Sequence, residues 1–425
     1  MRPEFFFSNY FRNIKSDEFQ AYRNKALKEI TGYEWPKFKK SEFWKYTDPS
    51  VFFEGIDSAP LPIGESSFLN TIDIDKYLVE DAVNILDTED GLLIRDVLPQ
   101  GITIENINAL DASSLTTTNI ELKHHIGGNG KQEKRNFLLL NKSYLNSGFN
   151  LKIEDNKNID IPIQIIYTKG NSHVFRKNII EIGKFSKATV IETYISENKN
   201  NLFFNIDTQI NVAESANLSH YKLELSNSHD RIFNNVNVNI NKDAFYNNFY
   251  FTNGGNTIKN NIESNLLEEG AETSLNGLYL LKNKNQVDNT TIINHIKPNT
   301  KSRQLYKGLL NDESKAVFDG LVEIFKNAKL SDSNQLNQNM LLSKTATINS
   351  MPQLVIGNDD VKCSHGSTSG QMDKNQLFYL QSRGMSKEEG SKLLSRAFIN
   401  EILLKLEDEN TRSFLINFIN ESFWS

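Results

Sequence analysis

Between about residues 91 and 361 the chain consists of short β-prone runs separated by polar turns, a pattern that restricts this stretch to a strand-rich body. The clearest run is Val236-Asn237-Val238-Asn239-Ile240-Asn241, whose aliphatics alternate with asparagines, giving one apolar and one polar face. Others lie at residues 92–94, 161–167, 188–195, 208–212, 276–281 and 289–296. One helical piece near residues 136–147, carrying Phe137, Leu140, Tyr144 and Leu145, interrupts them. Many short strands at near-regular spacing fit a sandwich, a barrel or a β-solenoid. Two features lean towards a solenoid. Two-residue hairpin turns are few, with Gly254-Gly255 the main candidate, and the abundant asparagines can ladder between stacked coils. The rungs are not identical, so spacing alone demonstrates no repeat and does not separate sandwich from solenoid.

The flanks read as helical. In the first 90 residues, Phe19, Tyr22, Ala26, Leu27 and Ile30 fall at helical spacing, with Ser16 placed to cap them. After Gly370, residues 373–382 form a helix that Gly384 stops. Ser386-Lys387-Glu388-Glu389 is a capping box opening a longer helix with Leu393, Leu394, Ala397, Phe398, Ile402 and Leu403, and residues 411–423 add a third. Such a terminal set serves as a docking surface or as a cap over the β core. The expected division is 1–90 mostly helical, 91–365 β core, and 366–425 helical.

The single cysteine, Cys363, excludes an internal disulfide and fits a reducing compartment. A net charge of -6 argues against binding nucleic acid by phosphate neutralisation. No apolar run approaches the roughly 18 residues of a membrane span. The expectation is a cytoplasmic protein with neither nucleic acid nor membrane as partner.

Cys363 lies two residues before His365, in Lys362-Cys363-Ser364-His365-Gly366. In an extended segment both point the same way, making a soft-metal or sulfur-handling surface. One such pair cannot close a four-ligand site, so a working site needs donors from a partner chain. On the residues alone, a lone buried cysteine is more often inert packing. Gly127-Gly128-Asn129-Gly130-Lys131 fails as a phosphate loop, because the first glycine would fall at His125 and Gln132 replaces the Ser/Thr. His124-His125 reads as surface loop, and His173, His220, His229 and His295 read as hydrogen-bonded structural residues. No G-x-S-x-G elbow or H-E-x-x-H helix is present.

The stretch around Cys363 resembles the SufB/SufD family of iron–sulfur cluster assembly proteins. Lys362-Cys363-Ser364-His365-Gly366-Ser367-Thr368-Ser369-Gly370 resembles its K-C-x-H-G-x-x-x-G signature, and Tyr379-Leu380-Gln381-Ser382-Arg383-Gly384-Met385 its Y-L-x-S-R-G signature. Asp288 with His295, residues 302–308, 317–320, 335–343 and 351–356 match further family segments in order. Glu42-Phe43-Trp44-Lys45-Tyr46-Thr47 resembles a motif of the SufD branch, which the scarcity of cysteine also favours. Lys301 stands where many relatives carry a cysteine or small residue, so that position is given no sulfur-handling role.

The resemblance implies a right-handed parallel β-helix flanked by N- and C-terminal helical regions. It implies a complex with a SufB-like paralogue and a SufC-like ABC-type ATPase, this chain being the non-catalytic subunit. His365 falls on the histidine facing SufB, where a nascent cluster forms, making it a transient metal ligand, and Cys363 falls beside it. Tyr379, Arg383, Gly384, Met385 and Phe398 fall on the SufC-docking surface. No cofactor is expected to be held stably by this chain alone. Reduced flavin is a candidate cofactor of the complex, although no flavin fingerprint is present. Homodimerisation through the same sheet edge stays open. The competing readings are a cysteine-poor SufB-like scaffold and a β-helix carbohydrate-active enzyme, which would need an acidic pair or cation site that the sequence does not show.

Overall fold

A computed structural model gives the fold, and the structure describes residues 19–54, 73–88, 91–107, 129–168, 173–196, 202–226 and 229–424. Ser16, His124-His125 and the start of the Gly127 loop lie outside these residues.

The body opens with β1 (Val83–Thr88), β2 (Gly91–Ile94), β3 (Ile102–Asn106), β4 (Ser147–Ile153) and β5 (Ile163–Thr168). It continues through β6 (Val174–Ile182), β7 (Lys187–Ser196), β8 (Phe203–Val212), β9 (Asn217–Ser226), β10 (Arg231–Ile240), β11 (Phe245–Asn253) and β12 (Thr257–Leu266). It ends with β13 (Glu272–Leu281), β14 (Gln286–His295), β15 (Lys301–Leu310), β16 (Lys315–Ile324), β17 (Asp332–Leu341), β18 (Thr347–Ile356) and β19 (Lys362–Gln371). Odd strands, with β2 at one edge, stack into one sheet; even strands, with β3 at one edge, stack into the other. Apart from β1 with β2 and β3 with β4, which are antiparallel, every pairing is parallel, and from β4 onward consecutive strands belong to different sheets. The body is therefore a parallel β-solenoid. Arg231 lies beside Thr257 and, at the other extreme, Lys315 beside Thr347, so a turn takes 26 to 32 residues. The Gly254-Gly255 pair is not a hairpin: it is a corner linking β11 to β12, which pair with other strands. The strands begin before residue 91, at Val83, and run past 365 to Gln371.

One corner per turn is set by a residue with positive φ: Asn156, Phe185, Ser215, Asp243, Gly270, Asn299 and Leu330 follow successive even strands. These corners stack. The amide of Ser215 donates to Lys242 O at 2.9 Å, that of Asn299 to Lys329 O at 3.0 Å, and that of Leu330 to Asp360 O at 2.6 Å. Asn, Asp and Gly tolerate this conformation, whereas a branched side chain is strained there by about 1 kcal/mol or more. Leu330 sits at φ 58° and is 54% exposed, so it gains little burial in return. Leu330→Asn is expected to stabilise the protein by about 1 kcal/mol. A thermal midpoint that stays level or falls would reject this.

Inside, alternate side chains of both sheets meet as one apolar column, including Val236, Val238 and Ile240 from the run singled out above. Asparagines ladder on both faces of the even sheet. Asn294 donates to Asn265 (2.8 Å), Asn265 to Asn239 (3.2 Å) and Asn239 to Asn211 (3.1 Å). On the opposite face Asn234 donates to Asn260 (3.0 Å) and Asn260 to Asn289 (3.1 Å).

Helices cover the outer faces. Helix α1 (Gln20–Ile30) begins after Phe19, which stands at the cap position without a side-chain cap bond; α2 (Asn129–Ser143) is the helical interruption. With the connecting stretch that carries Trp44 and a short 3₁₀ turn, Pro49–Phe53, they lay Phe137, Trp44, Phe52 and Phe53 on Phe175, Phe203 and Phe233 of the even sheet. At the other end α3 (Lys374–Ser382), α4 (Lys387–Leu403) and α5 (Glu409–Ser422) follow β19. The α4 and α5 helices bury Ile399, Ile402, Leu403, Leu415 and Ile419 against Tyr221, Phe249, Phe251, Leu278 and Leu305 of the odd sheet. The expected capping box is present: Ser386 Oγ accepts from Glu389 N, and the Glu389 carboxylate accepts from Ser386 N.

Candidate functional site

The last turn differs from those beneath it. Among the described residues, strand β18 pairs only with β16 and β19 only with β17, so one edge of each is open to them. Most of β19, Lys-Cys-Ser-His-Gly-Ser-Thr-Ser-Gly-Gln, is exposed, and its small polar residues leave the edge uncluttered. Cys363 lies in register with Ser333 and His365 with Gln335, both buried. In a parallel ladder, residues in register share a face. Cys363 and His365 therefore point together towards the solenoid interior, at its open mouth. Cys363 is half-buried and packs against the interior apolar column, while His365 is exposed. Burial pushes the Cys363 thiol up, the Asp332 charge adds to this, and a hydrogen bond to the Ser333 backbone opposes it. Among the described residues no group of three or more His, Cys, Asp and Glu is arranged to hold a metal. This end presents a thiol and an imidazole side by side, two side chains of metal-donor type.

Beneath the mouth the interior is polar. Gln335 Nε2 donates to Gln304 Oε1 (2.7 Å) and Gln304 Nε2 to Thr291 Oγ1 (2.7 Å). His295 is buried, with one ring nitrogen 2.8 Å from Thr300 Oγ1 and the other 2.9 Å from Ser302 Oγ. Burial lowers its pKa to about 3. Asp288 and His295 do not form a site. Seven residues apart on one strand, they face opposite ways, and Asp288 binds Thr47 (2.6 Å) and Lys259 (2.9 Å) on the outer face.

A second group forms at α3. Asp373 caps the helix, and Gly384 ends it at φ 93°, its amide donating to Gln381 O and that of Met385 to Leu380 O. Arg383 lies over the Tyr379 ring at 5.3 Å and donates to Tyr379 Oη at 3.2 Å. Tyr379, Arg383, Gly384 and Met385 are thus one patch, and α3 buries none of its residues. Phe398 is apart from them, half-buried on α4, with Lys307 Nζ 4.7 Å above its ring and 3.0 Å from its carbonyl.

Sequence reasoning missed the charged network buried between the sheets. The Glu192 carboxylate accepts from Tyr167 (2.6 Å), Tyr194 (2.6 Å) and Asn178 (3.1 Å), with His220 Nε2 at 2.7 Å and Lys222 Nζ at 3.8 Å. Burial alone would raise this carboxyl; Lys222, then the bonds from His220 and Tyr167, hold it well below the usual range. Glu224, two residues beyond Lys222, is pushed up to about 7 by burial, against Lys222. The signal in the sequence was His220-x-Lys222-x-Glu224, three polar residues on one face, which ordinarily marks a solvent face. A carboxyl raised from about 4.5 to about 7 contributes stability that is full below about pH 4.5 and lost as pH rises through 7. Glu224→Gln is expected to flatten the fall in urea midpoint between pH 5 and pH 8, a difference on the order of 3 kcal/mol at most. An unchanged slope would show that Glu224 does not titrate there.

Residues 165–398, more than half of the chain, match the family model described as SUF system FeS cluster assembly, SufBD core domain. The iron-sulfur cluster assembly protein SufD of Escherichia coli (strain K12) is 34% identical over 233 residues, 55% of each chain. A SufBD family protein of Synechocystis sp. is 30% identical over 235 residues, 53% of this chain and 51% of that one. The match thus spans about half the length of these two relatives. SufD of Bacillus subtilis (strain 168) is 24% identical over 413 residues, 93% of this chain and 92% of its own. With a parallel solenoid, the two signature segments at its open end and a core match covering most of its turns, the chain belongs to the SufB/SufD family of iron–sulfur cluster assembly proteins, on the SufD side of it.

Proposed function

We propose that this chain is a non-catalytic, SufD-type subunit of a cytoplasmic iron–sulfur cluster assembly complex. Its open end joins a cysteine-bearing SufB-like paralogue, and the nascent cluster is cargo held between the two. The observation that carries this reading is the terminal strand: an unpaired parallel edge with Cys363 and His365 at the mouth of the interior. An open edge accepts a further strand through main-chain hydrogen bonds. Neutral imidazole is a good iron ligand, and a set of two donors suits a site completed from across an interface. Helix α3, with Phe378 and Tyr379 71% and 57% exposed, is the docking surface for a SufC-like ABC-type ATPase.

His365→Ala is expected to leave the complex intact, recovered by anaerobic pull-down with both partners, and to abolish cluster maturation of recipient enzymes in cells that depend on this machine. Full maturation in that variant rejects the ligand role. Recovery of the chain alone, where both partners are expressed, rejects the complex.

A further inference from the structure

We infer that Gln335 is a positioning residue for His365, fixing which ring nitrogen carries the proton and leaving the other free as the ligand. This rests on the reading of His365 as a cluster ligand.

Gln335 is 1% exposed, on the strand below β19, and directly in register with His365. Its two amide ends have different fates. Nε2 donates to Gln304 Oε1, which lies one turn further down. Oε1 is buried and has no hydrogen-bond partner among the described residues. An amide has its acceptor and donors on diverging directions, so with Nε2 committed to the turn below, Oε1 is left for the turn above, and His365 is the residue that stands there. A buried carbonyl oxygen without a donor costs about 1–3 kcal/mol, which an imidazole N–H would recover.

Turned over by itself, the amide would set its carbonyl oxygen against Gln304 Oε1. With Gln304 Nε2 on Thr291 Oγ1, Gln335 Nε2 is the donor that Gln304 Oε1 meets. A proton on His365 facing Gln335 completes a chain in which every link donates downward, from His365 to Gln335, Gln304 and Thr291. Links of one direction polarise and strengthen one another. The seat is shaped for this side chain. Gly320, on the opposite sheet, leaves the space that Gln335 fills: a Cβ there would come 2.1 Å from Gln335 Nε2. Metal-binding imidazoles generally donate their second N–H to a carbonyl or carboxylate, which sets the tautomer and orients the ring.

The test is ring-nitrogen NMR of the full chain labelled with ¹⁵N-histidine, with His365 assigned by its loss in His365→Gln. In the parent protein one neutral tautomer of His365 should dominate by at least about fivefold, the ratio that one hydrogen bond of ~1 kcal/mol sets. Gln335→Leu should erase that excess. Gln335→Glu, which keeps an acceptor towards His365 but gives up the donor to Gln304, should restore part of it. Gln304→Leu, which leaves Gln335 in place but unanchored, should reduce it, and it keeps the test open if Gln335→Leu does not fold. A bias untouched by Gln335→Leu, or by Gln304→Leu where the former is not obtained, overturns the inference. Maturation is read in parallel, with a loss of about tenfold expected for Gln335→Leu. Normal maturation in His365→Ala would overturn the ligand role while leaving the tautomer result standing. A tautomer ratio indifferent to Gln335 would overturn the positioning role and leave the ligand role standing.

Discussion

Glu192→Ala is expected to cost the fold about 3–5 kcal/mol, the usual result of removing one partner from a buried ion pair. The carboxylate is fully buried and gathers two tyrosine hydroxyls, one asparagine amide, His220 and Lys222. Its removal strands Lys222, which is equally buried, with Glu224 as the remaining carboxyl whose charge favours the cation. Glu192→Gln keeps the shape and some of the bonds, so it should cost less, and the difference between the two variants measures the charge itself. Urea unfolding at pH 7 reads both. A loss below about 1 kcal/mol for Glu192→Ala would mean that water enters the interior and solvates the stranded cation.

Trp44→Ala is expected to cost about 3–5 kcal/mol, but locally. Trp44 is fully buried where the N-terminal segment meets the even sheet. It stacks on Phe233 at 6.2 Å between ring centres and lies 5.0 Å from Phe137, with Lys259 Nζ 5.4 Å from its ring. Three residues on, Thr47 donates to Asp288. The N-terminal segment's attachment is concentrated in this cluster, so its loss should release residues 43–54 and α2 before the solenoid melts. Hydrogen exchange would show protection lost there and retained in β10 to β16. Uniform loss across both regions would show that the segment and the solenoid unfold as one unit.

These two sites also mark where the sequence was legible. The alternation of Val236, Val238 and Ile240 and the supply of asparagines gave the strands and their ladders, because period two and side-chain stacking are local properties. Parallel pairing was not local: neighbours in the sheet lie 26 to 32 residues apart with no identical rungs, so only the family resemblance separated solenoid from sandwich. The shared face of Cys363 and His365 followed from spacing alone. That this face looks into the interior, over Gln335, required the register. The Glu192 network inverted the ordinary rule, since charged residues that read as a wet face were folded inward against tyrosines and asparagines.

Helix α5 has a mechanical consequence. Its first turn bonds Glu80, just ahead of β1, through Asn410 (3.0 Å), and its last residue, Ser422, bonds Asn253 on β11 (3.1 Å). At 1.5 Å per residue its 14 residues reach about 21 Å, matching the roughly 19 Å spanned by four strand spacings from β1 to β11. A pile of turns that touched only their neighbours would fray from its ends, each turn free to leave in sequence. A rod pinned at both ends across five of them acts as a splint. Those turns must then loosen together, while the unsplinted turns near β19 keep the freedom to adjust.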